Sequence, residues 1–309
     1  MAIKLYKDFL KEVFPQFERV RKVALNAGFS CPNLDGTVGK GGCAYCNNNS
    51  FSQVAATELP LLQQLESGIK AIKTKKSETG ILAYFQSYTN THAPAQKLRE
   101  IFTPVILHSD VAGIAVGTRP DCLPPQVVEL LAELNRIKPV IVEIGVQTAN
   151  DQTLKNINRN HTVECTRKAA LLCKNSNLLI TAHIIIGLPR ENADDFANTA
   201  KFVKECGFSA VKIHPLHIVK GTRFEQEYKE GKIELLSLAD YCKAAAEFIR
   251  IMQPATAIER VSGESPSNIL IAPIWSGDRN RIWDGIEQAH SACRGNPRGC
   301  PPRGCPRPH

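Results

Sequence analysis

The sequence predicts an α/β fold built on a parallel sheet. Apolar runs of strand length alternate six times with stretches of helical period, the pattern imposed by strand–helix–strand crossovers. Each run leaves through polar, reactive residue types: Cys31, Gln86, Arg119, Gln147, His183 and His214. Parallel α/β sheets gather such exits on one rim, where ligands bind. A chain of 309 residues with 43% hydrophobic content is long enough to bury one large core.

Taken in order, Lys4–Phe17 is amphipathic and predicts a helix ending near Pro15. Arg21–Asn26 (RKVALN) is the first strand, and Gly28 and a cysteine loop follow it directly. Leu59–Lys76 reads as a helix, Ile81–Gln86 (ILAYFQ) as the second strand, and Ser87–Asn90 as its polar exit. Pro94–Leu107 reads as a helix and Val111–Val116 (VAGIAV) as the third strand, leaving through Gly117-Thr118-Arg119-Pro120-Asp121. Pro124–Arg136 is helical, with proline in the first turn as helix starts allow. Val140–Val146 (VIVEIGV) is the fourth strand, with Gln147 and Thr148 after it. Asp151–Ile157 and Val163–Lys174 are helical, and Leu178–Ile186 is the fifth strand, ending at Gly187-Leu188-Pro189. Asp194–Glu205 is a helix and Ala210–His214 (AVKIH) the sixth strand. Phe224–Lys229, Ala239–Arg250 and Arg281–Ala289 read as helices, and Thr256–Val261 and Ile269–Ile274 as late strands. Six strand–helix units fall short of the eight of a complete barrel.

This divides the chain into an N-terminal helix (1–20), a core (21–222), a helical and strand extension (223–290) and a tail (291–309). The tail is proline, glycine, arginine and cysteine with almost nothing to bury, which predicts disorder. Its Cys293, Cys300 and Cys305 match no metal-ligand spacing.

The net charge is +8, and half of it lies in the tail as Arg294, Arg298, Arg303 and Arg307. The remaining body is mildly basic, compatible with RNA or an anionic cofactor and diagnostic of neither. Aromatic content of 6% argues against a surface built on base stacking. Lys70, Lys73, Lys75 and Lys76 offer phosphate contacts, against the simpler reading of a solvated helix end. The 11 cysteines are odd in number. No secretory apolar segment stands in Met1–Leu25, and no apolar run is long enough to span a bilayer. These features predict a cytoplasmic chain, away from membranes, whose thiols favour metal over disulfides.

The chemistry centres on Cys31, Cys43 and Cys46, a C-x11-C-x2-C pattern on a loop with Gly36, Gly39, Gly41 and Gly42. The glycines allow tight folding that brings three sulfurs together. Three thiolates suit a [4Fe–4S] cluster with one iron left open. Structural zinc is the alternative, but zinc closes with four ligands, and the loop carries no fourth cysteine or histidine. Unligated structural thiols are the third reading.

The stretches SCPNLDGTVGKGGCAYCN, LAYFQSYTNT, VGTRPDC, EIGVQTANDQTLKNINRNHT, HIIIGLPRE and KIHPLHIVKGT together resemble the radical S-adenosylmethionine (radical SAM) superfamily. They are most similar to its YhcC-type proteins, in the branch related to the catalytic subunit of Elongator. The resemblance implies a partial (β/α)6 TIM-like barrel with a short C-terminal extension. It implies that Cys31, Cys43 and Cys46 bind a [4Fe–4S] cluster and that SAM chelates the open iron. Reductive cleavage of SAM would give a 5′-deoxyadenosyl radical that abstracts hydrogen from an unidentified substrate, with tRNA suggested by the Elongator-related branch. A flavodoxin- or ferredoxin-type protein would supply the electron.

The resemblance also implies SAM contacts. Gln147 stands where relatives bind the ribose, Arg159 where they pair with the SAM carboxylate, and Tyr45 where adenine lies. Gly187 marks a turn passing close to the adenosyl group. Gln86 and Ser87 occupy the exit where relatives carry a glycine-rich acidic motif for the SAM amine, and His183 stands where some carry Asp. No catalytic residue beyond these is assigned. An acetyltransferase domain is not expected. Two further classes stay open from the residues: a non-catalytic iron–sulfur redox sensor and a zinc-stabilised binding module.

Overall fold

The computed structural model describes residues 3–47, 57–73, 79–263 and 265–294. Helix α1 (Tyr6–Val13) leads into β1 (Arg19–Leu25). There follow α2 (Leu61–Lys73), β2 (Thr79–Phe85), α3 (Ala95–Leu107), β3 (Val111–Thr118), α4 (Pro125–Asn135) and β4 (Val140–Gln147). Then come α5 (Asp151–Asn156), α6 (Val163–Asn175), β5 (Leu179–Ile186), α7 (Ala193–Glu205) and β6 (Ala210–Pro215). The last elements are β7 (Ile218–Val219), α8 (Arg223–Lys229), α9 (Leu238–Met252), β8 (Ala257–Arg260), β9 (Leu270–Ala272) and α10 (Arg279–Arg294).

The main sheet runs in the order β1-β2-β3-β4-β5-β6-β8, and all of its pairs are parallel. It curls into a half-barrel whose two edges, β1 and β8, do not pair with each other. The sequence predicts six such strands in the repeat; the seventh is β8 (AIER), which falls within the late strand expected over Thr256–Val261 and which the structure adds to the same sheet. Its position comes from pairing with β6 and from a bridge between Leu5 and Ile258. A separate two-stranded antiparallel sheet joins β7 to β9. Strand β7 has two residues and leaves no periodic signal.

Strand alternation separates two apolar layers. Ile81, Ala83 and Phe85 of β2 join the layer beneath the outer helices. Leu82 and Tyr84 face the other way and join Tyr6, Phe9, Leu10 and Phe14. Helix α1 packs on both edge strands, so it plugs one end of the half-barrel. Phe14 is fully buried there, and truncating such an aromatic to alanine costs about 3–5 kcal/mol. The other end, at the carboxyl ends of the strands, stays open.

Helix α10 runs further than the sequence suggests, so residues 291–294 of the predicted tail are helical. Its Ile282 and Ile286, four apart on one face, are fully buried, and the helix packs on α9. The rest of the tail, with Cys300 and Cys305, lies outside the described residues, as do Lys75 and Lys76. Among the described residues no helix is long and apolar enough to cross a membrane.

Candidate active site

A cavity of about 470 Å³ opens at the carboxyl ends of the strands, and Cys31, Cys43 and Cys46 all line it. The loop that carries them folds by local necessity. Leu34 and Asp35 N–H groups donate to the Cys31 carbonyl, and Cys46 N–H donates to that of Cys43 at 3.0 Å. Gly41 and Gly42 have φ of 77° and 74°, a left-handed conformation that L side chains adopt poorly.

An asparagine network ties this loop to the segment after α5. Asn33, fully buried, donates to the Asn158 carbonyl at 2.5 Å and points at Cys43 Sγ at 3.5 Å. Asn158 donates back to the Gly42 carbonyl at 2.7 Å, and Asn160 donates to Asn33 Oδ1 at 2.5 Å. Asn158 and Asn160 both have positive φ, 55° and 57°, which asparagine tolerates better than most residues. The two left-handed residues flank Arg159 and aim it inward.

Arg159 is 6% exposed and its donors are engaged. Nη1 lies 3.5 Å from Cys43 Sγ, Nη2 donates to the Gly145 carbonyl at 2.8 Å, and Nε meets His161 Nε2 at 3.1 Å. Burial alone would raise the Cys43 thiol pKa, but the Arg159 charge and hydrogen bond outweigh it and the net shift is downward. Cys46 goes the other way, pushed up to about 12 by burial and then by Cys43. A thiol so raised ionises on metal coordination.

The structure brings Tyr45, Gln86, Gln147, Arg159 and His183 to the cavity wall together with Arg119 and His214. Ser87 and Gly187 stand behind it. Ser87 is fully buried and its carbonyl accepts from Asn90 Nδ2 at 3.1 Å. Gly187, at φ 93°, turns beside Leu236 and Leu216. Gln147 closes β4 at φ 69°, where the β4–β5 register shifts; bulges of this kind re-aim side chains beside sites. His183 is not at a strand exit. It lies inside β5 and its Nε2 is 2.9 Å from Glu143 Oε2, so the rim position read from sequence is corrected to an interior one.

Sequence reasoning missed the wall below the rim. Glu143 of β4 has no side-chain exposure and pairs with Lys22 of β1 at 2.6 Å and with Lys212 of β6. Glu259 of β8 completes the set, at 2.6 Å from Lys22 and 3.4 Å from Lys212. The signal was present: Lys22 in RKVALN, Glu143 in VIVEIGV and Lys212 in AVKIH are charges within apolar strand runs. A charge in a buried strand must find a partner. Burial, only partly offset by Glu143 and Glu259, draws Lys212 down to about 8. Burial and then Lys212 draw His183 down to about 4.

The residues present fit a cluster with an anionic chelate. Three thiols converge on one cavity, and an arginine stands on one of them. Arg119 holds Asp121 through Nε and Nη2 at 2.9 and 2.8 Å, yet its Nη1 is buried with no partner among the described residues. That is a donor aimed where an acceptor is wanted. Among the described residues no three His, Cys, Asp or Glu side chains close on a single ion; a four-iron cube spreads its ligands more widely than one ion does.

Residues 37–203 match the radical SAM superfamily, and residues 208–291 match the Radical_SAM C-terminal domain. The chain is 38% identical over 270 residues to protein YhcC of Escherichia coli (strain K12), covering 87% of this chain and 85% of that one. It is 25% identical over 185 residues to the tRNA uridine(34) acetyltransferase of Dehalococcoides mccartyi (strain CBDB1), covering 59% of this chain and 40% of that one. Among solved structures it is similar to the archaeal Methanocaldococcus infernus Elp3, with a TM-score of 0.66 at 18% identity, over 88% of this chain and 63% of that one. That last likeness shows the fold. The half-barrel, its plugged end and its cysteine-lined mouth are those of a radical SAM enzyme, and the chain belongs to the radical SAM superfamily.

Proposed function

We propose that Cys31, Cys43 and Cys46 hold a [4Fe–4S] cluster and that the same cavity takes S-adenosylmethionine at the open iron. The observation that carries this is the convergence of the three thiols with Arg159 on one cavity wall. When bound, the cluster and SAM supply reductive C–S cleavage and a 5′-deoxyadenosyl radical for hydrogen-atom abstraction from substrate. The chain's own residues bind and orient. Arg159 places positive charge beside Cys43, which favours the thiolate form. The resemblance implies the SAM carboxylate at Arg159, but with the Arg159 nitrogens engaged the spare donor for that carboxylate is Arg119 Nη1, as a guanidinium suits that group. Gln147, held at the β4 exit, would bind the ribose. Tyr45, on the cavity wall, would hold adenine, with Gly187 shaping the turn behind it. Gln86, on the cavity wall, would meet the SAM amine without a carboxylate, with Ser87 buried behind it, and His183 stays neutral toward the interior. A flavodoxin- or ferredoxin-type protein delivers the electron.

The similarity to a tRNA uridine(34) acetyltransferase favours tRNA as the source of the abstracted hydrogen. The mildly basic body is compatible with that partner.

The test is anaerobic reconstitution with iron and sulfide, reduction, addition of SAM and measurement of 5′-deoxyadenosine. Product above that of a triple-alanine variant at Cys31, Cys43 and Cys46 supports the reading. A cluster-bearing protein that makes none, with or without bulk tRNA, would return it to the sensor class. Turnover raised by tRNA, with binding that weakens steeply in salt, supports the tRNA reading; no effect of tRNA removes it.

A further inference from the structure

We propose that Arg260, braced by His214 with His217 beside it, forms an oxyanion subsite for a carboxylate or phosphate group of the substrate, on the reading above that substrate shares this cavity with the cofactors. A bulge puts Arg260 there. Val211 pairs with Ile258 but Lys212 with Arg260, leaving Glu259 as an extra residue on β8. A regular pleat would send one of two consecutive side chains outward. Here Glu259 and Arg260 both line the cavity.

The two then diverge. Glu259 reaches Lys22 and Lys212. Arg260 turns to His214, with Nε and Nη2 at 3.3 and 3.2 Å from His214 Nε2. Donors facing Nε2 require its lone pair, so the His214 proton sits on Nδ1 and the ring is neutral. A Cβ at Gly263 would lie 2.5 Å from His217 Cε1 and 3.1 Å from His214 Nδ1. Glycine there is what lets the two imidazoles stand side by side.

Charge accounting singles out this arginine. Lys22 and Lys212 meet Glu143 and Glu259. Arg119 meets Asp121 and Arg159 meets Cys43. Arg260 alone, of the cavity's arginines and lysines and among the described residues, has only neutral partners. His217 Nε2 is buried with no partner among the described residues. Burial, and then the Arg260 charge, hold His214 well below the ordinary histidine value and bring His217 down to about 4. Neither ring neutralises the guanidinium. The guanidinium's charge is unanswered and its Nη1 is not used by His214, so it can meet an oxyanion from the cavity.

The test uses the full chain, reconstituted with its cluster and loaded with SAM. Inorganic phosphate and acetate are titrated separately by calorimetry at fixed ionic strength, against wild type, Arg260→Gln and Arg260→Lys. Wild type binds one of the two, and which one names the group. Arg260→Gln weakens that binding about tenfold or more, and Arg260→Lys, which keeps charge without the fork, falls between. Far-ultraviolet dichroism and thermal unfolding confirm that both variants fold. Wild type binding neither anion, or Arg260→Gln binding as wild type does, overturns the subsite. SAM affinity is measured in parallel; its loss together with anion binding would assign Arg260 to the cofactor and equally overturn the proposal. Anion binding that depends on Arg260, in a protein that never cleaves SAM, would keep the subsite while removing the proposed reaction.

Discussion

Arg159 stands with its Nη1 3.5 Å from the sulfur of Cys43. It is the contact through which the β4–α6 segment reaches the cysteine loop's chemistry. Two flanking left-handed asparagines hold it there, so the loop and the arginine are positioned as one unit. Groups one step behind a metal ligand commonly tune retention by about 10–100-fold. Arg159→Met should therefore give a reconstituted protein that loses iron to a chelator faster than wild type, by a factor in that range. Iron release timed by absorbance checks it, and an unchanged rate would leave Arg159 without a role at the cluster.

Asn33 tests the same unit from the other side. Its amide joins the Asn158 carbonyl, Asn160 and the Cys43 sulfur. Asn33→Ala removes its bonds to the part-buried Asn158 carbonyl, to Asn160 and to the Cys43 sulfur, at a cost of about 1–3 kcal/mol together. Iron content after reconstitution should drop alongside the thermal midpoint. A loss of stability with full iron content would make the network purely structural.

The rim was legible in sequence and the interior was not, for physical reasons that particular residues show. Cys31, Cys43 and Cys46 announce themselves because their spacing is local. Gln147 and Arg119 follow apolar runs, and a strand's end can be read from where its apolar run stops. Glu143, Lys22, Lys212 and Glu259 come from four strands. Their meeting depends on sheet order and register, which no local pattern carries. Strand β8 falls within the late strand expected over Thr256–Val261, but its place beside β6 was not legible for the same reason. Asn158 and Asn160 could have been suspected from N-R-N after a short helix, as asparagine is enriched at positive φ.

Gly145 is a packing requirement rather than a flexible joint. A Cβ there would lie 2.5 Å from Arg159 Nη2 and 2.9 Å from Gln147 Nε2. Both neighbours are side-chain ends, but Arg159 is buried and fully hydrogen-bonded, so it cannot swing away without breaking contacts. Gly145→Ala should displace both side chains and weaken SAM binding by about tenfold. Equilibrium binding of SAM to the reconstituted variant measures this; wild-type affinity would show that Arg159 and Gln147 do not matter to the cofactor.

Glu143 is the common partner of Lys22, Lys212 and His183. Removing its charge leaves cations in a buried wall with Glu259 alone to answer them. Breaking a buried pair in this way costs about 3–5 kcal/mol. Glu143→Gln should lower the denaturant midpoint accordingly, and the double variant Glu143→Gln with Lys212→Met should recover part of the loss. No recovery would mean that shape, not charge, holds that wall.

The buried histidines of the cavity wall and its surroundings make the fold sensitive to mild acid. His183 titrates at about 4 in the folded chain against an ordinary 6.5. Burial is the first cause, Lys212 and then Arg260 add to it, and the opposing pull of Glu143 does not reverse the shift, while the His214 ring stands 6.3 Å away. A base whose folded pKa is depressed binds its proton more readily when unfolded. Between pH 6.5 and 4 the unfolded chain therefore holds more protons, and stability falls as pH falls across that window. For His183, 23% exposed, the loss amounts to at most about 3 kcal/mol. His214 and His217 add slopes of the same sign, whereas Glu143, held well below the ordinary carboxylate range against its own burial, adds its loss only at lower pH. His183→Gln should then reduce the proton uptake on unfolding near pH 5 by about one. Denaturant titrations from pH 7 to pH 4.5 on both proteins give that uptake as a slope. Equal slopes would mean that His183 is protonated in the fold, with Glu143 as its charged partner, and the neutral imidazole at the cavity wall would have to be abandoned.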